Sequence, residues 1–370
     1  MINSKKHIPI IIFYFFFIWG NLFSQNLLIP MDELKQKNHL KAYGVAYWIL
    51  KQDKEVDWLL NFRGGSFLTK YEQKIEKECL LRGVSFEIIN PNDLSIIYET
   101  IADPQNNYDI VKLEKAPKIA VYSPKNKQPW DDAVTLVLEY SEIPYDIIYD
   151  DEISNNILPM YDWLHLHHED FTGQYGKFYR SFKNASWYVE QKKIFEDNAK
   201  KFGFNKVSKQ KLEIVKKIKE YTAGGGFLFA MCSATDTYDI ALSAEETDIC
   251  EYMFDGDPID KNAQEKLDFN KSFAFENFEL VKDPMTYEFS NIDVTSTRKI
   301  KEENDFFTLF EFSAKWDPVP TMLCQNHDKI IKGFIGQTTA FNKDLIKPNV
   351  LILGENLSLI HISEPTRQLC

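Results

Sequence analysis

From residue 118 onward, short uncharged runs alternate with longer segments of helical periodicity, and no other feature restricts the fold as strongly. Lys118-Ile119-Ala120-Val121-Tyr122 is apolar and β-branched without polar alternation, the pattern of a parallel strand covered on both faces. A helix is expected over 130–140, carrying Ala133, Val134, Val137 and Leu138 on one side. Strands follow at 144–149 and 161–166, then a charged helical region over 186–221, broken near Gly203. Ala223-Gly224-Gly225-Gly226 leads into an apolar run, a sharp bend at Cys232 and a further helix over 235–244. Parallel strands need crossover helices, so the chain is expected to be α/β, with a doubly wound, flavodoxin-like, mostly parallel sheet.

This unit is expected to span 113–356, with a loop- and strand-rich C-terminal part from about Phe254, including strands at 306–312 and 349–353. Residues 27–112 form an N-terminal α/β segment. A helix is expected over 41–51, a strand over 56–62 ending in Arg63-Gly64-Gly65, and a charged helix over 70–81. A strand over 84–89 and a helix over 94–102, opened by Asn90-Pro91-Asn92-Asp93, complete it.

Both ends stand apart. Lys5 and Lys6 precede an uncharged apolar run over 8–19 and a small residue at Ser24, so 1–24 reads as a signal peptide. The run is short of the roughly 20 residues that span a bilayer, and no stable membrane insertion is expected after cleavage. The protein is therefore expected to be exported, periplasmic or extracellular. At the other end, the string from Leu357 to Arg367 matches the translation of a transposase-type sequencing adapter, so 357–370 is expected to be library DNA joined to a gene fragment. Of the five cysteines, Cys79, Cys232, Cys250 and Cys324 then remain. A net charge of −12 excludes the basic stripe that a nucleic-acid binder needs.

The strongest chemical candidate is Cys232. It closes an apolar strand and opens a helix, with Ala230 and Ala234 giving the crowding relief that a nucleophile elbow requires. A thiol there meets a helix N-terminus, which favours thiolate and supplies amide donors, Ser233 among them, for an oxyanion. A buried cysteine ending a core strand, with Thr235 or Asp236 capping the helix, is the alternative. His165-Leu166-His167-His168-Glu169-Asp170 is the second constellation. Strand alternation puts His165 and His167 on one face, while His168, Glu169 and Asp170 enter the loop where doubly wound folds bind ligands. No metal and no cofactor is expected. Asp255-Gly256-Asp257 with Asp260 reads as a solvated turn, and Trp316, Asp317, Pro318 and His327 as packing residues by default, with the lining of a cleft as the alternative.

The order of strands and helices, ending in Gly224-Gly225-Gly226, strand, Cys232 and helix, resembles the class I glutamine amidotransferase-like superfamily, and within it trehalose-utilisation-like domains. The resemblance implies a cysteine-dependent amidohydrolase acting on a carboxamide, with Gly173 or Gly176 helping to form the oxyanion pocket. It places the base on a histidine after a later strand, beyond Asn356. It equally allows a noncatalytic domain binding a carbohydrate or other small molecule. Residues 27–356 are also similar to exported bacterial proteins labelled asparagine synthetase B. Neither Arg63-Gly64-Gly65-Ser66 nor 224–226 continues as that enzyme's pyrophosphate loop, and no N-terminal cysteine follows residue 24, so the synthetase reaction is not expected.

Overall fold

The computed structural model describes residues 25–124, 133–293, 306–309, 313–316, 330–332, 341–352 and 354–357. The signal-peptide segment, Asp317, Pro318, Cys324, His327 and 358–370 lie outside the described residues.

The N-terminal segment contains β1 (Asn26–Ile29), α1 (His39–Leu50), β2 (Val56–Leu60), β3 (Ser66–Lys70), α2 (Gln73–Arg82), β4 (Glu87–Ile89), α3 (Pro91–Ala102) and β5 (Asp109–Leu113). Its five strands run in the order β4-β1-β3-β2-β5, and every pair is antiparallel. Strand alternation sorts the core. Leu27 and Ile29 face α1 and α2 with Val45, Ile49 and Ile75, whereas Leu28 faces α3 with Ile97 and Ile101. The connection from β2 to β3 holds Asn61, Arg63, Gly64 and Gly65 at positive φ. Arg63 is fixed there by a bidentate pair to Glu87 (2.8 and 2.9 Å) and a bond to Asp32 (3.0 Å). Asn90 caps α3 by accepting from the amides of Asn92 and Asp93.

The second sheet is parallel. It contains β6 (Ile119–Tyr122), α4 (Ala133–Ser141), β7 (Tyr145–Ile148), α5 (Asp150–Ser154), β8 (Trp163–Leu166), α6 (Tyr179–Phe182), α7 (Ser186–Lys201), α8 (Val207–Ala223), β9 (Phe227–Ala230), α9 (Ala234–Ser243) and α10 (Tyr252–Asp255). The strand order is β7-β6-β8-β9. Ala120, Tyr122, Leu164 and Leu166 pack against α7, α8 and α9, while Ile119 and Val121 pack under Leu138 of α4. One strand differs from expectation. The run of β9 is apolar, as a covered strand is, yet Phe227 and Phe229 are 46% and 40% exposed, because β9 is the outer strand among the described residues.

Beneath the ends of β6 and β7 lies a buried ion pair. Lys211, 1% exposed, donates to both carboxylate oxygens of Asp150 at 3.0 Å and to the hydroxyls of Tyr122 (2.8 Å) and Tyr149 (3.0 Å). Asn198 donates to the same carboxylate at 2.8 Å. Every hydrogen of the ammonium therefore finds an acceptor, as a buried charge requires.

After α10 the chain is turn-rich, and a third core forms around Phe278, Phe289 and Leu345. It is tied to α9 by Asp239, whose carboxylate accepts from the amides of Phe273, Ala274 and Phe275 at 2.6–2.9 Å. β10 (Phe306–Leu309), β11 (Ile330–Lys332) and β12 (Gly354–Leu357) make an antiparallel sheet in the order β11-β10-β12. The strand expected over 349–353 thus begins later, at Gly354. The first two sheets meet through α1 and α4. A methyl group on Gly44 would stand 1.8 Å from the Ser141 carbonyl oxygen, so only glycine permits this approach. No helix among the described residues is long and apolar enough to cross a membrane.

Candidate functional site

Parallel strands bring their C-terminal ends to one rim of the sheet, and β8 and β9 deliver their candidates there. β9 ends at Ala230, the Met231 amide donates to the Leu166 carbonyl at 2.9 Å, and the chain then bends into α9. Cys232 occupies the bend with φ +53, a conformation that a side chain with a Cβ adopts only under constraint, and it is exposed. The amides of Ala234 and Thr235 are spent on the carbonyls of Met231 and Cys232. The amide of Ser233 makes no hydrogen bond among the described residues. In a nucleophile elbow the residue after the nucleophile supplies an oxyanion donor, and that amide holds this position.

The loop after β8 closes against the same turn. Thr237 of α9, fully buried, places its hydroxyl 2.9 Å from the carbonyl oxygen of Glu169, and Ser233 Oγ stands 3.5 Å from the same oxygen. His167 and His168 are half-buried, with their Nδ1 atoms 2.7 Å apart, so one ring donates while the other accepts. His165 and His167 share a face, as alternation requires, with ring centroids 6.1 Å apart; His165 is fully buried and stacked on Phe229 at 5.6 Å.

The two glycines proposed for the oxyanion pocket serve backbone geometry. Gly173, at φ +83, lies against Ser208 at the start of α8, where a Cβ would approach the Ser208 amide nitrogen to 2.7 Å. Gly176, at φ +70, sits between Tyr175 and Lys177, both also at positive φ. Asp170 organises this loop by accepting from the amides of Thr172 (2.7 Å) and Gly176 (2.8 Å) and from the Thr172 hydroxyl (2.6 Å). Burial nonetheless raises its carboxyl pKa. Lys177, 1% exposed, donates to the carbonyls of Val281 (2.7 Å) and Asp283 (3.3 Å), so the loop reaches the C-terminal part.

Sequence reasoning passed over Asp236 except as a cap. It is 4% exposed, and burial, with Asp293 adding repulsion, pushes its carboxyl well above the ordinary range. Its Oδ1 accepts from the Thr237 amide at 2.9 Å, in the first turn of α9 and four residues after the cysteine. Nothing in the sequence separates it from an ordinary helix-start aspartate.

The remaining candidates lie elsewhere. Gly224-Gly225-Gly226 sits at the N-terminal end of β9, opposite Cys232, and with Tyr161 and Tyr221 lines a groove of about 610 Å³. Gly226 is needed because the Tyr221 ring covers it. Asp248, Cys250 and Asp255 bring potential metal-ligand atoms within 4.8 Å of one another. The Lys206 ammonium already binds Asp248, Asp255 (3.0 Å) and Asp257 (2.5 Å), and the Cys250 thiol donates to the Thr172 carbonyl at 3.3 Å. Burial raises the Cys250 thiol, which keeps it protonated, so this donor set fits a lysine better than a cation. Trp316 is 84% exposed and not a core residue. Comparison with known proteins finds no matching family model, no matching curated protein and no matching solved structure.

Proposed function

We propose that the protein is a cysteine-dependent amidohydrolase of the glutamine amidotransferase-like type, acting on a carboxamide with Cys232 as nucleophile. One observation carries the reading: an exposed cysteine at positive φ on a strand-to-helix bend, followed by an uncommitted amide. The order β7-β6-β8-β9 supports a doubly wound assignment, because it reproduces the first four positions of the flavodoxin-like order 2-1-3-4-5. We further propose that the protein acts outside the cytoplasm, on the strength of the segment 1–24.

In this mechanism Cys232 Sγ adds to the carboxamide carbon as its proton passes to a histidine. In this proposal His167 or His168, on the adjoining loop, takes the part that the resemblance gives to a later histidine beyond Asn356. The oxygen takes up the negative charge facing the Ser233 amide at the positive end of α9. Collapse breaks the C–N bond and expels ammonia, protonated by the histidine, leaving a thioester. Water, deprotonated by the same histidine, adds to the thioester and releases the carboxylic acid and the thiol. The test is ammonia release from a panel of carboxamides by the wild-type protein and by Cys232→Ala. Activity in the wild type alone supports the reading; equal activity in both, or none in either, overturns it.

A noncatalytic ligand-binding domain is the second reading, favoured by a specific observation. The groove beside Gly224–Gly226, at the opposite end of the sheet, is larger than either of two other cavities, of about 20 and 280 Å³, and none of the three is lined by Cys232. Saturable binding of a carbohydrate or other small molecule, unaffected by Cys232→Ala and unaccompanied by turnover, would establish it.

A further inference from the structure

We propose that the cleft between α6, α7 and α10 binds a small organic anion, a carboxylate or phosphate monoester carried on a single ring. The inference is independent of Cys232. Val189, Lys192, Lys193 and Glu196 fall at i, i+3, i+4 and i+7 of α7, so one face of that helix forms a wall of the cleft. Tyr179 and Lys183, at α6, and Met253 of α10 line the same cleft. The cavity measures about 280 Å³, close to the lower bound of small-molecule sites and enough for one substituted ring.

Charge selects the class of ligand. Lys192 is committed: its ammonium donates to the Met253 carbonyl at 2.8 Å, lies 3.7 Å from Glu196 and covers the Tyr175 ring at 5.2 Å. The one carboxylate of the cleft is therefore already matched. Neither Lys193 nor Lys183 makes an ion pair with a described residue; the Lys183 ammonium lies over the Tyr179 ring, 5.4 Å from its centroid. Two uncompensated cations thus flank an apolar floor of Tyr188, Val189 and Met253 in a chain whose net charge is −12. Neighbouring lysines are used differently: Lys201 pairs with Asp151, and Lys206 with three aspartates. An anion held between Lys183 and Lys193 completes the charge balance, while its ring removes apolar surface from water.

The experiment is ¹⁹F NMR titration of the whole chain, carrying Cys232→Ala so that a carboxamide is not turned over, with 4-fluorobenzoate, 4-fluorophenyl phosphate and the neutral 4-fluorobenzamide. Saturable binding is expected for at least one anion, about tenfold tighter than for the amide and weakened by added salt. The anion that binds more tightly assigns the head group. Lys183→Gln with Lys193→Gln is expected to weaken anion binding about tenfold. Lys200→Gln, on the same helix outside the cleft, leaves it unchanged. All three side chains are exposed, so the variants retain the fold, which far-UV circular dichroism verifies. Equal affinity for amide and anions, unaltered binding by the double variant, or no saturable binding of either anion overturns the proposal.

Discussion

The hydroxyl of Thr237 stands 2.9 Å from the carbonyl oxygen of Glu169, which fastens the first turn of α9 to the loop after β8. The same hydroxyl is 2.6 Å from the Ser233 carbonyl, so one proton serves both sides of the junction. Thr237→Val keeps the shape and removes the donor. It is expected to cost about 1–2 kcal/mol, measured by urea denaturation, because the Glu169 carbonyl loses a buried hydrogen bond. Alkylation of Cys232 should slow in parallel if the loop helps to shape that site.

Cys232 holds a backbone conformation that suits glycine. Cys232→Gly is therefore expected to stabilise the fold by up to about 1 kcal/mol, whereas Cys232→Ala retains the strain and leaves stability nearly unchanged. Thermal unfolding of the three proteins distinguishes these outcomes. In the wild type, iodoacetamide followed by peptide mapping should modify Cys232 well before Cys79 or Cys250. Both of those are fully buried, and burial raises both thiols, Cys79 to about 12.

Lys211 and Asp150 neutralise one another in the core. Lys211→Met leaves the Asp150 carboxylate without its counter-ion and is expected to destabilise by about 3–5 kcal/mol. Adding Asp150→Asn should recover a substantial part of that loss. A double variant no more stable than the single one would mean that the aromatic packing around Lys211, not its charge, is what the fold needs.

The parallel half was legible because its strands are apolar on both faces and its helices are periodic. The runs at 118–122, 144–149 and 161–166 all emerge as strands, and the break near Gly203 separates α7 from α8. The antiparallel half was harder. β5, Asp109–Leu113, is half-exposed and carries charges, and β3, Ser66–Lys70, was hidden behind a turn of unusual backbone angles. Neither was expected as a strand, so the sheet order stayed out of reach. At the candidate site the position of Cys232 followed from local sequence, but the grip of Thr237 on Glu169 joins residues 68 apart and left no local signal.

Lys177 offers a pH test. Burial pushes its ammonium pKa down to about 8, against the partial support of Asp170, Asp283 and Glu251 around it. Below that value the side chain is charged in both folded and unfolded chains, and the burial penalty is fully present. Between about 8 and the ordinary 10.5 the unfolded chain binds more protons, so this group makes stability rise with pH. Relative to Lys177→Met, the wild type should gain roughly 2 kcal/mol between about pH 7 and pH 9.5, read from denaturant midpoints at each pH.

The missing side chain at Gly44 has a consequence for how the molecule holds together under stress. Since α1 sits with its backbone against the end of α4, and Lys41 and Arg82 clasp Glu142 beside that point, the two sheets share a closely fitted seam. Even one added carbon there would act as a wedge. The resulting separation would be felt first where residues 113–118 tether one half to the other, making that short connection the natural point of attack for a protease.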